Sequence, residues 1–140
     1  MSISKELKRQ VAERAKDRCE YCRCPASHST SDFSVEHIKP QIRGGSDDPS
    51  NLAWSCQGCN QRKFTAVSGT DPLTARKVRL FHPRLSRWEQ HFEWSEDSLR
   101  IIGKTPTGRA TLERLKLNRF GIANLRRSLL ATDEHPPKEL

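Results

Sequence analysis

The apolar positions change their period along the chain. Between Lys5 and Asp17, Leu7, Val11 and Ala15 recur at four-residue steps among Lys, Arg and Glu, and Ser4 stands just ahead of them. That spacing predicts an amphipathic helix capped by Ser4, with its apolar stripe turned to the core. From Phe33 to Ile38 the pattern alternates instead. Phe33, Val35 and His37 then share one face of a short strand, and Ser34, Glu36 and Ile38 the other. Pro40 ends that strand, Gly44-Gly45 makes a tight reversal, and Ser46 to Ser50 is rich in turn residues. Leu52-Ala53-Trp54-Ser55 reads as the returning strand with Trp54 in the core, and a helix is expected from Cys59.

Further on, Ala66 to Thr74 carries Gly69 and Pro72 and reads as a linker. Ala75 to Phe81 is basic, and its pattern leaves helix and strand open. Trp88, Phe92 and Trp94 fall on one face of an alternating stretch that predicts a strand, hairpin-paired with Leu99 to Ile102. A hairpin this small needs a buried face, so the aromatics are expected to be core. Thr105-Pro106 supplies a cap and a first-turn proline for a helix lined by Leu112 and Leu115. A second helix is expected over Gly121–Leu130, with Ile122, Leu125 and Leu129 inward and Arg126 and Arg127 outward. The tail, 131–140, is expected to be disordered. The mixture predicts an α+β protein in three parts: residues 1–68, an extension over 69–130 packed on them, and the tail.

Four of the five cysteines form two pairs, Cys19-x-x-Cys22 and Cys56-x-x-Cys59. Two thiolates from each of two tight turns suit one tetrahedral ion, and soft thiolates favour zinc. An iron–sulfur cluster also takes four cysteines. Disulfides do not suit a chain whose first residues lack an apolar signal-like run. Cys24 stands apart from the pairs as a non-ligand thiol, or as a substitute for Cys22. Four thiolates leave no open position for water, so the ion is expected to be structural.

Only 34% of the residues are hydrophobic, which suits a modest core helped by a metal staple. No apolar run is long enough to span a membrane, and a cytoplasmic, reducing setting is the expectation. Charge changes the picture more. Residues 1–59 carry 9 basic and 8 acidic side chains, whereas residues 60–130 carry 15 and 6. The excess of +9 in the second stretch predicts a polyanionic partner bound in a salt-dependent way.

Between the cysteine pairs the order is Glu36-His37-Ile38, Gly44-Gly45, Asn51-Leu52, and then Cys59-Asn60-x-x-Lys63. This set resembles the HNH endonuclease family in its four-cysteine, zinc-stapled form, over about residues 10–65. The resemblance implies a ββα-metal core (the His-Me finger) and a metal-dependent endonuclease cutting DNA, expected to be double-stranded, to 5′-phosphate and 3′-hydroxyl ends. Phosphodiester hydrolysis needs a base for water and a positive charge for the leaving oxygen. His37 is the expected base. Glu36 and Asn60 are the expected oxygen ligands of a magnesium or manganese ion, with water and phosphate filling its other positions. The family more often carries aspartate or histidine where Glu36 stands, and histidine where Asn60 stands. By the same resemblance Asn51 bonds across the loop and orients His37, while Arg62 and Lys63 contact backbone phosphate.

Two other readings stand beside this one. A zinc-stapled nucleic-acid-binding module without cleavage explains the cysteines and the charge, but does not need Glu36, His37 and Asn60. An adaptor protein would use the Trp88, Phe92, Trp94 face, and would need it exposed.

Overall fold

In the computed structural model, which describes residues 3–138, the helix expected after Ser4 runs Lys5–Arg14 (α1). The Ser4 hydroxyl accepts from the Leu7 N–H at 3.1 Å, and Val11 lies in the core. The helix stops short of Asp17 because Lys16 and Asp17 take positive φ angles of 54° and 55°. That turn delivers the chain into the first cysteine pair.

Ser34–His37 (β1) pairs antiparallel with Leu52–Ser55 (β2), with His37 opposite Leu52 and Ser34 opposite Ser55. All of β2 is buried, including Trp54. The next helix, Gln57–Lys63 (α2), starts ahead of Cys59 because Cys56 acts as its cap: the Cys56 sulfur accepts from the Cys59 N–H at 3.4 Å. These elements form the expected strand, loop, strand and helix, and the chain is α+β.

Ser68–Thr70 (β3), read as linker from its composition, pairs instead with Lys77–Arg79 (β4). Asp71 explains the hairpin. Its buried carboxylate accepts from the Leu73 N–H, the Thr74 hydroxyl and two nitrogens of Arg109, at 2.8–3.0 Å. A polar anchor closes this turn, so there was no apolar alternation to read.

Trp88–His91 forms one helical turn (α3) ahead of Phe92–Trp94 (β5), where a continuous strand was expected. The Arg87 N–H donates to Gln90 Oε1 at 2.6 Å and closes that turn. The aromatics still meet: the Trp88 ring lies 5.1 Å from Phe92 and 5.2 Å from Trp94, centre to centre. Trp88 and Phe92 are buried, as core packing requires. β5 pairs with Ile101–Gly103 (β6). Pro106–Leu115 (α4) follows its Thr105 cap, and Phe120–Ala131 (α5) completes the helices.

Two expectations about the C-terminal part change. Arg126 was expected to face out, yet only 2% of it is exposed. Its guanidinium donates to Leu99 O, Leu117 O and Asn118 Oδ1 and lies over the Trp94 ring, so hydrogen bonds replace the lost water. The tail does not hang free as far as Lys138. His135 is buried, hydrogen-bonded to Ser98 O at 2.7 Å, with its ring on Trp94. Residues 139 and 140 of the expected tail lie outside the described residues.

Among the described residues, one buried cluster joins the cysteine-bearing part to the extension. The cysteines, Tyr21 and β2 share it with Phe81, Trp88, Phe92, Leu115 and Leu117. No helix among the described residues is long and apolar enough to cross a membrane.

Candidate functional site

The four paired cysteines converge. Their sulfurs lie within 4.8 Å of one another, and all four residues are buried. Backbone N–H groups point at two of the sulfurs, Cys22 N to Cys19 at 3.5 Å and Cys59 N to Cys56 at 3.4 Å. Such donors stabilise thiolate, which is the metal-binding form. The cluster is compatible with a structural zinc ion held by four thiolates. Cys24 is outside it, with its sulfur 3.3 Å from that of Cys22.

Arg119, which sequence reasoning passed over, reaches this cluster from the start of α5. Its guanidinium lies 3.5 Å from the Cys56 sulfur and 3.6 Å from that of Cys59, and also donates to Leu115 O at the end of α4. Burial alone would lower its pKa, but the Cys59 and Cys22 thiolates outweigh that and raise it. Gly58 makes the room: a Cβ there would sit 2.5 Å from an Arg119 nitrogen. No local pattern marks such a residue, because its partners lie some 60 positions upstream.

Asn51 clamps the loop between the strands. Its side-chain oxygen accepts from the Lys39 N–H at 2.8 Å, and its amide nitrogen donates to Lys39 O and Ser46 O at 3.0 and 2.8 Å. Gly45 passes so close that a Cβ would meet Lys39 O at 1.6 Å, so no other residue fits. Asn51 therefore acts on the backbone two residues beyond His37 and does not touch the imidazole.

The partner of His37 is Asp47. The His37 Nε2 lies 2.7 Å from Asp47 Oδ1, and the pair is partly exposed, at 18% and 25% of their side chains. An ionised carboxylate only accepts, so Nε2 carries the proton and Nδ1 is left with the basic lone pair. The His37 hydrogen bond holds the Asp47 carboxyl below the usual aspartate range. The turn-rich composition of Ser46 to Ser50 was legible, but not which acid would face the ring.

Glu36 turns the other way, into the β1–α2 interface, and is only 4% exposed. One carboxylate oxygen accepts from the Tyr21 hydroxyl at 2.7 Å, and the other lies 2.6 Å from the Lys63 ammonium. Burial raises its pKa, and Lys63 opposes the rise. Lys63 was expected to meet phosphate, yet it is 2% exposed and also donates to Ile38 O at 2.8 Å. A helix turn separates Asn60 from Lys63, and Asn60 donates to Ser34 Oγ at 3.3 Å. Glu36 and Asn60 thus share the strand–helix interface, while the His37 ring bonds to Asp47 on the other side. Arg62 stays exposed at the surface.

Residues 19–65 match the HNH endonuclease family model. The match covers about a third of the chain and contains both cysteine pairs, the hairpin and α2. This similarity, together with the four-cysteine cluster, points to nuclease-type chemistry with a metal site. No curated protein and no solved structure matches the chain.

Proposed function

We propose that the protein is a DNA endonuclease in which His37 takes the proton from the attacking water. The observation that carries this reading is the partly exposed His37–Asp47 pair inside the HNH segment. Asp47 holds Nε2, which leaves Nδ1 as the base, and stabilises the imidazolium once the proton has moved. Asn51 and Gly45 hold the loop that carries Asp47. Residues 1–68 form the catalytic unit in this reading, and the extension beyond them helps to hold substrate. Arg62 contacts backbone phosphate. Double-stranded DNA is the substrate, and a reducing, cytoplasmic setting keeps the thiolates available for zinc.

Glu36 and Asn60 suit a magnesium or manganese ion by donor type, but they face the β1–α2 interface and not the His37 ring. Glu36 offers the carboxylate oxygen that Lys63 holds at 2.6 Å, and Asn60 adds an amide oxygen. Such an ion would stabilise charge on the leaving oxygen. Lys63 supplies positive charge at that carboxylate in this structure and competes for it.

The test is plasmid nicking by zinc-loaded protein with magnesium or manganese. Nicking by the native chain, abolished in His37→Ala and lowered about 100-fold in Asp47→Ala, is the expected result, within the usual range for a general base. No nicking by any form under several salt conditions would overturn it. The second reading is a binding module that does not cut, and the burial of Glu36 against Lys63 is the observation in its favour. Salt-dependent DNA binding without nicking would decide for it.

A further inference from the structure

A groove of about 920 Å³ opens between the loop after β1 and the chain following β4. It begins at Ile38, the residue after His37, and Lys63 and Asn51 lie along it. Its lining includes Lys39 and Arg43 from the loop after β1 and Arg79, His82 and Arg84 from the extension. No carboxylate lines it, although the chain has 17 acidic residues. A surface sorted this completely by charge attracts an anion.

The state of each cation sharpens the point. Lys39 and Arg79 are exposed, and among the described residues their side chains hold no ion pair and no hydrogen bond. Arg84 is bound to Glu20 through one nitrogen, while its other terminal nitrogen is buried without an acceptor. His82 Nδ1 accepts from the Arg84 N–H at 3.2 Å, so the proton of the neutral ring sits on Nε2. Burial and the nearby Arg79 lower the His82 pKa and favour this neutral donor form.

From these observations we propose that the groove seats the phosphodiester backbone of one nucleic-acid strand and that the extension forms half of the substrate cleft. Lys39 from the loop after β1 and Arg79 from the extension contact phosphates, and His82 donates to a phosphate oxygen. The assignment rests on the nuclease reading above, because the groove starts at Ile38, next to His37 in the chain, and includes Lys63, the partner of Glu36.

The experiment measures binding of a fluorescein-labelled DNA duplex, and separately of its single strand, by anisotropy from about 50 to 300 mM salt, the range over which phosphate neutralisation is read. All proteins carry His37→Ala to prevent cutting. Lys39→Glu with Arg79→Glu breaks no bond within the protein, so the fold is expected to survive. That pair should weaken binding about 100-fold and lower the salt slope by about two, because each charge neutralises one phosphate. Arg100→Glu with Arg127→Glu, exposed and outside the groove, should change affinity less than about threefold, as rim charges do. His82→Ala should weaken binding without changing the salt slope.

Equal weakening by the two charge-reversed pairs, or none by the groove pair, would overturn the proposal. If the native chain nicks plasmid while the groove pair binds normally, only the groove assignment fails. If no form binds either DNA, the nuclease reading fails with it.

Discussion

The HNH segment and the extension are stabilised in opposite ways. Residues 19–65 bury four cysteines, Glu20, Glu36 and Lys63. A cluster of that kind is stable only when its charges are neutralised, by an ion at the sulfurs and by partners at the carboxylates. The extension uses an ordinary apolar centre: Phe81, Trp88, Phe92, Ile101 and Leu115, with Asp71 and Arg126 answered by hydrogen bonds. The difference teaches that the cysteine-bearing segment depends on compensating its buried charges, while the apolar part packs against it and reaches back. Trp88 donates to Tyr21 O at 3.0 Å, Arg84 pairs with Glu20, and Arg119 touches the thiolates. An HNH segment cut out alone would be without all three of these supports.

The sharpest way to probe this contrast is to remove the ion. A structural zinc contributes about 10–16 kcal/mol of binding free energy in small zinc-dependent units. Chelation, or Cys59→Ala, should therefore unfold residues 19–65 cooperatively. Hydrogen exchange should show protection disappearing there first, while α4 and the β5–β6 hairpin stay protected longer. Simultaneous exchange in both regions would mean that the two halves are one folding unit.

Next comes the buried ion pair. Lys63→Ala leaves Glu36 without its countercharge and should destabilise the protein by about 3–5 kcal/mol in urea unfolding. Glu36→Gln with Lys63→Met should cost much less, because no isolated charge remains. Equal destabilisation would show that packing, and not charge, dominates that interface.

A smaller effect is expected at the junction. Arg119→Gln removes a positive charge from the thiolates without opening the apolar core. Transfer of zinc to a competing chelator should quicken about tenfold, within the roughly 10–100-fold range for outer partners of metal ligands. Unchanged transfer would limit Arg119 to its bond with the end of α4.

The smallest change concerns pH. Arg109 holds the Asp71 carboxyl far below the usual aspartate range. The unfolded chain then takes up the proton first, so Asp71 stabilises the fold above an ordinary aspartate pKa of about 3.9 and loses that contribution as pH falls below it. Asp71→Asn should flatten this part of the melting temperature against pH curve, relative to the native chain. A curve of unchanged slope would assign the acid sensitivity elsewhere.

Much of the front half was legible because its signals are local. Cysteine spacing, the capping serine, the alternation of β1 and the glycine pair each report on neighbours within a few residues. The β3–β4 hairpin was missed because Asp71 organises it through Arg109, 38 residues away. The Trp88 turn was missed because helix and strand both bring those rings together. Arg126 carried the pattern of an exposed residue, but its donors found three backbone and side-chain acceptors.

The sequence by itself determined the four-sulfur clamp, the α+β order of elements and the HNH segment, since each follows from residue type and spacing along the chain. Only the tertiary structure decided that Asp47 holds His37, that Lys63 faces Glu36 and not solvent, and that Arg119 crosses to the thiolates. Those pairings depend on which charged group lies nearest once the chain has closed, and in a buried setting proximity outweighs any preference written into the local pattern.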